Sequence, residues 1–215
     1  MRFSSDEQKV FIKDVEAAYD SMRTVYGRER QTDGLCRCRS RCASGCFEDL
    51  FAGLIYDHLP QRKSYVVFVD CPIRIDKGNP RYFDFVLCRK LGENSYEICY
   101  IAELKTNSGF FRDGIRDVAK KARGDVKSLK THVLTASGGA DKFRCARTIK
   151  FDLVMYSAGS NKKETVQEAY RTLNADRNAL TRLIILCNPC KDKSVRQVAR
   201  NDDFKLLAER ITSTL

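Results

Sequence analysis

Apolar residues recur along this chain at two different periods, and the switches between them mark out its elements. Over 5–27, Phe11, Val15, Ala18, Met22 and Val25 return every three or four residues, which is the spacing of one helix face. Ser5 followed by Gln8 predicts a capping box at the start of that helix. Residues 28–45, RERQTDGLCRCRSRCASG, break the pattern and read as a basic, cysteine-rich loop. A second helix is predicted at about 46–59, with Phe47, Leu50, Phe51, Leu54, Ile55 and His58 on one face. Three strand signals follow: SYVVFVDCPIRI (64–75), whose Pro72 marks an edge or bulge, RYFDFVLCRK (81–90) and, after the turn LGENS, YEICYIAELKT (96–106). A long helix is predicted over 113–134, with Ile115, Val118, Ala122, Val126, Leu129 and Val133 as its apolar stripe. A strand at 148–158, a helix at 164–179, a strand at 181–188 and a last helix over about 194–213, broken near Asn201, complete the chain. The order α-α-β-β-β-α-β-α-β-α predicts an α/β sandwich on a mixed sheet, in one domain spanning 1–215.

Composition sharpens this picture. With 43% apolar residues the 215-residue chain can fill a substantial core. No apolar run approaches the roughly 18–20 residues that cross a bilayer, and the N-terminus lacks a secretory apolar core, so a soluble, cytoplasmic or otherwise intracellular protein with no membrane partner is expected. The formal net charge is +11, above the magnitude of roughly 2–8 that solubility asks for, which favours a polyanionic partner such as nucleic acid. Two histidines leave no room for a histidine-built centre, and the absence of GxxxxGK[ST] excludes a phosphate-loop motor or kinase.

The informative conflict lies in the second and third strands. Asp84 interrupts YFDFVLC, and Glu103 interrupts ICYIAELK two residues before Lys105. Side chains alternate across a strand, so Glu103 and Lys105 share a face while Leu104 points to the other. If the two strands pair as a hairpin, Asp84 approaches Glu103. Two close carboxylates repel, and burying either alone is costly. A divalent cation relieves both penalties, and Mg²⁺ is commonly held by one or two carboxylates plus waters and substrate phosphate. Lys105 beside it would orient or help deprotonate a water, or stabilise phosphate charge. The competing reading is a solvent-facing pair of acids with Lys105 as salt-bridge partner.

An acid on the second strand followed by ELK on the third, in this order of elements, resembles the PD-(D/E)XK nuclease superfamily. The resemblance covers roughly residues 46–158. It departs from the family in one place: Phe83, not proline, precedes Asp84. It implies a restriction-endonuclease-like α/β/α sandwich and Mg²⁺-dependent hydrolysis of DNA, with Mn²⁺ as a substitute. It further implies that Asp84, Glu103 and the Leu104 carbonyl hold the metal, that Lys105 assists the attacking water, and that Glu48 on the preceding helix holds a second metal or a metal-bound water.

Two further features bear on partners. Arg116, Lys120, Arg123, Lys127 and Lys130 fall at steps of four and three on one helix face, with Arg112 before them and Lys121 alongside. Such a row suits a phosphate backbone; the plainer reading is a solvated face. Cys36, Cys38, Cys42 and Cys46 cluster within eleven residues, and Cys187 and Cys190 form a C-x₂-C pair. Four thiolates suit a structural Zn²⁺ or an Fe–S cluster; free thiols in a DNA-touching arginine loop are the alternative. The chain thus reads as a Mg²⁺-dependent DNA endonuclease, acting on both strands most simply as a homodimer. The alternatives are a non-catalytic nucleic-acid-binding module with a cysteine-bound structural metal, or an interaction domain whose charge is incidental.

Overall fold

Ile98, Cys99, Tyr100, Ile101 and Ala102 are consecutive and all fully buried, which a strand achieves only where both faces of its sheet are covered. The computed structural model describes residues 1–29, 42–75, 79–107, 124, 127–129, 134–136, 142–157, 163–175, 180–189 and 197–215. Helices α1 (Ser5–Glu29) and α2 (Cys42–Asp57) come first, followed by β1 (Tyr65–Ile75), β2 (Pro80–Gly92) and β3 (Ser95–Asn107). Then come β4 (Leu134–Ala136), β5 (Lys142–Ser157), α3 (Lys163–Asn174), β6 (Leu183–Pro189), β7 (Gln197–Ala199) and α4 (Asn201–Thr212).

Five long strands carry a mixed sheet in the spatial order β1-β2-β3-β5-β6. The hairpins β1–β2 and β2–β3 are antiparallel, and β3–β5 and β5–β6 are parallel. The short β4 bridges the far end of β1 to the start of β5, so that β1, β2, β3, β5 and β4 close on themselves, while β7 extends the other edge. One layer of core lies beneath α1, α2 and α4, built around Phe11, Phe47, Phe51, Phe85, Tyr100 and Phe204. The second lies beneath α3 and Leu129, built around Val86, Ile101, Phe151, Leu153 and Ile185. This is the α/β/α sandwich on a mixed sheet that the alternation of elements predicts.

Several boundaries differ from the sequence reading, each for a local reason. The cap of α1 is one residue early: Ser4 Oγ accepts from the Glu7 N–H at 3.3 Å, and the Ser4 N–H donates to Glu7 Oε2 at 2.7 Å. Gln8 is instead buried, donating to the Phe3 carbonyl at 3.1 Å. The predicted helix over 113–134 has to end before β4, which starts at Leu134; of its span only Gly124 and Lys127–Leu129 are described, and they are helical. The strand expected at 148–158 begins at Lys142, because its polar first half pairs with both β3 and β4. The C-terminal region expected as one helix is β7 followed by α4, with Arg200 between them.

The sheet and α4 are locked by a buried ion pair. Asp152 on β5 is fully enclosed, yet its carboxylate accepts from Arg210 Nε at 2.9 Å, from Arg210 Nη2 at 2.5 Å and from the Arg182 N–H at 2.9 Å. Removing one partner of such a pair strands the other charge away from water. Asp152→Ala is therefore expected to lower the unfolding free energy by about 3–5 kcal/mol, read from urea denaturation.

Candidate functional site

The site sits where two strands part. The β2–β3 ladder, with register shifts at Leu87/Cys88 and Lys90/Gly92, runs as far as Phe85↔Ala102 and stops there, while β3 continues to pair with β5 through Glu103, Leu104 and Lys105. In place of the next rung, the Asp84 side chain takes over: its Oδ2 accepts the Leu104 N–H at 2.7 Å. An acid in an apolar strand is thereby given a backbone donor, and the fork opens room beside it.

On the other side of β2, the pairing with β1 holds from Tyr65↔Arg89 to Val69↔Phe85 and resumes at Cys71↔Phe83. Asp70 and Asp84 stand opposite each other in the gap. Asp70 has φ 48°, a left-handed conformation rare for a residue within a strand. Its consequence is visible in the core. Tyr65, Val67, Val69, Phe85 and Leu87 face the layer under α1 and α2, whereas Cys71, Ile73 and Phe83 face the opposite layer. Simple alternation would keep all these positions on one face. The hairpin changes faces at the Asp70–Asp84 rung, and that rung carries the acids.

Lys105 Nζ lies 3.2 Å from Asp84 Oδ2 and 2.7 Å from Glu103 Oε1. Sharing one ammonium caps the separation of the two carboxylate oxygens at about 6 Å, against the roughly 4 Å that two oxygen ligands of one Mg²⁺ can span. Each of the three side chains keeps only about a quarter of its surface exposed. Burial, and then the neighbouring Glu103, push the Asp84 carboxyl above its ordinary range, against the pull of Lys105 and the Leu104 N–H. Burial works against the charge on Lys105, but Asp84 and Glu103 together outweigh it and raise its pKa. Lys105 is thus held as an ammonium.

Glu48 joins this group from α2. Its neighbours Phe47 and Phe51 pack into the core, which sets Glu48 half-buried at the edge of the helix. Burial, then Asp84, raise its pKa from 4.5 to about 7; Asp70 and Asp49 add to the rise and Lys105 opposes it. Asp70 is the member that the sequence reading missed. Its signal was present, an acid inside VVFVDC, but nothing near it matched the ELK pattern. Among the described residues no three His, Cys, Asp or Glu side chains are arranged around a point as metal ligands would be; Asp84 and Glu103 both contact Lys105. The donor set nevertheless fits a hard divalent cation: its oxygens are acidic, crowded and partly desolvated, and both leading causes of the rise at Glu48, burial first and then the charge of Asp84, are ones that a cation relieves.

The remaining predicted residues lie elsewhere or outside the described set. Arg112, Arg116, Lys120, Lys121, Arg123 and Lys130 fall outside it; Lys127 is exposed on helical backbone. Cys36, Cys38 and Cys190 are also outside it, Cys42 begins α2, Cys46 is a half-buried free thiol, and Cys187 is sealed in the core layer under α1. No helix among the described residues is long and apolar enough to cross a membrane.

No family model and no curated protein matches the sequence. Two solved structures are similar. One is E. coli MS115-1 NucC in its cAAA-bound form, at 12% identity and TM-score 0.50, covering 100% of this chain and 91% of that one. The other is P. aeruginosa ATCC27853 NucC, also cAAA-bound, at 14% identity and TM-score 0.46, covering 100% and 92%. At such identities the likeness speaks to fold alone, and the first of the two agrees with the sandwich described above: the chain has a restriction-endonuclease-like fold.

The Glu48 shift has a measurable consequence. A carboxyl whose pKa is higher folded than unfolded keeps an extra proton in the native state, here between about 4.5 and about 7. Stability in chelator should therefore fall as pH rises through that window and stay low above it. Glu48→Gln should flatten this slope and melt higher than the unaltered protein at pH 8. Thermal melts from pH 4.5 to 8 in chelator check both; an unchanged slope would show that Glu48 is not the group responsible.

Proposed function

We propose that this protein is a divalent-metal-dependent nuclease of the PD-(D/E)XK type that hydrolyses DNA phosphodiester bonds as an endonuclease. The observation that supports it best is the convergence of Asp84 and Glu103 on the Lys105 ammonium at the β2–β3 fork, with Glu48 drawn alongside. In this reading Asp84, Glu103 and the Leu104 carbonyl hold Mg²⁺, or Mn²⁺ in its place, and Glu48 holds a second ion or a metal-bound water. The ion would supply Lewis-acid polarisation of the phosphoryl oxygen and a more acidic water.

The protein's own groups do the rest. Lys105, fixed as an ammonium, opposes charge that develops on the phosphoryl oxygens and cannot serve as a base in that state. Glu48, half-buried and beside Asp84, would be ionised by the charge of the ion it helps to hold. The basic run from Arg112 to Lys130 follows the backbone of the duplex, adding affinity without sequence preference. Cleavage of both strands calls for two such sites, most simply in a homodimer.

Supercoiled plasmid and single-stranded DNA incubated with Mg²⁺ or Mn²⁺ should be cut. Glu103→Ala and Lys105→Ala should each slow cutting by roughly 100-fold or more while DNA binding persists. Cutting that survives both substitutions, or is absent with either metal on either substrate, would sink the hydrolytic reading.

A further inference from the structure

Beyond the acids, the distal half of the β1–β2 hairpin carries an outward face with its own chemistry. The register pairs Pro72 with Tyr82 and Arg74 with Pro80. Directly opposed residues, and residues two apart on a strand, share a face. Pro72, Arg74, Pro80 and Tyr82 therefore lie together, on the side away from buried Cys71, Ile73 and Phe83. Tyr82 is 62% exposed, more than any other large aromatic among the described residues, and Arg74 on the same face is exposed too. Burying a phenol ring here would stabilise the fold, yet the strand presents it to solvent. The locked φ of two prolines and the unbroken run of pairs from Cys71↔Phe83 to Arg74↔Pro80 hold the ring on a stiff support.

Tyr82 precedes Asp84 by two residues on the same strand, about 7 Å along it. One DNA strand advances about 3.4 Å per nucleotide. A strand whose phosphate reached Asp84 and Glu103 would thus bring a base one or two nucleotides away over the Tyr82 ring. An aromatic face accepts any base, and a guanidinium group beside it suits the adjoining phosphates. The acids at the site repel a polyanion at close range, so attraction near them must come from such neighbours.

We propose that the β1–β2 hairpin is a substrate-positioning arm: Tyr82 stacks on an unpaired or flipped nucleobase next to the scissile phosphate, while Arg74 holds the flanking backbone. This rests on the reading that DNA lies across the Asp84–Glu103 site. The arm makes a frayed, flipped or single-stranded nucleotide at the point of cutting the preferred substrate over a fully stacked duplex.

The test uses the full-length chain carrying Glu103→Gln, with a fluorescent oligonucleotide bearing 2-aminopurine at each position around the bound segment. Tyr82→Ala should weaken binding about 5- to 100-fold and abolish the stacking quench at one or two positions, whereas Tyr82→Phe should restore both. Arg74→Ala should lower the salt slope of binding by about one. Because Tyr82 is exposed, its substitution leaves the fold intact, which a melting curve verifies. Affinity and quench that are the same with and without the Tyr82→Ala substitution would overturn the arm while leaving the hydrolytic reading untouched. Tyr82-dependent binding in a protein that never cuts DNA would overturn the hydrolytic reading and leave the arm standing. A protein that binds no nucleic acid would remove both.

Discussion

The hydrogen bond from the Leu104 N–H to the Asp84 carboxylate is the hinge of this molecule. A sheet that splits must leave backbone donors without rungs, and a buried N–H without a partner is expensive. Asp84 supplies the missing acceptor at the split, so the β2–β3 fork is stable as a fork. Without that bond the two strands would either zip further, closing the space between them, or leave the Leu104 amide unpaired. The same oxygen also contacts Lys105, so one atom ends the ladder and anchors the charged cluster.

That arrangement answers how an apolar sheet tolerates so many acids. Asp84, Glu103 and Lys105 are each mostly covered, and none would be stable alone in that position. Lys105 compensates the two acids nearest to it and is itself held charged by them. Its compensation is incomplete at Glu48, whose carboxyl remains raised to about 7 despite the nearby ammonium. Opposite Asp84, Asp70 adopts a left-handed backbone and the hairpin turns its other side to the core. Strain of this kind, of order 1–3 kcal/mol, persists only where surrounding packing enforces it, and here packing on both layers does so. The strain, the fork and the charge cluster coincide at the Asp70–Asp84 rung.

Much of this was legible in the residues, and the exceptions have physical causes. The three-stranded meander announced itself because its apolar runs are long and the Glu93–Asn94 turn between β2 and β3 allows Asn94 its positive φ of 49°. The acids stood out because a carboxylate in a doubly covered strand contradicts its surroundings. By that criterion Asp70 was equally visible in VVFVDC; what could not be read was its partner, since only the register sets it opposite Asp84. The three-residue strands β4 and β7 are too short to show any period, and a tract such as SVRQVAR fits a helix as well as an edge. The first half of β5, KFRCAR, looks like a loop in isolation and is a strand because β3 and β4 both offer it partners. The one-residue shift of the α1 cap reflects tertiary burial, because Gln8 belongs to the core and cannot reach back to Ser5.

The charge distribution then separates long-range from short-range electrostatics. The chain carries +11 overall, while the fork concentrates Glu48, Asp70, Asp84 and Glu103 around one lysine. At physiological ionic strength exposed charges are felt over about 8 Å, so a polyanion is drawn to the basic surface first and meets the acids only on close approach. Against a phosphate the acids repel, and a single ammonium already engaged with two carboxylates offers little in return. On the hydrolytic reading a cation is therefore required by the electrostatics of binding before it is required by the chemistry of cleavage. The same balance explains why positioning groups belong just outside the acidic cluster: they must be near enough to fix the nucleotide and far enough that the acids do not cancel their pull on it. Tyr82 and Arg74 occupy that zone on a hairpin whose second strand is covalently continuous with Asp84, so any adjustment of the hairpin moves the positioning surface and the acid together.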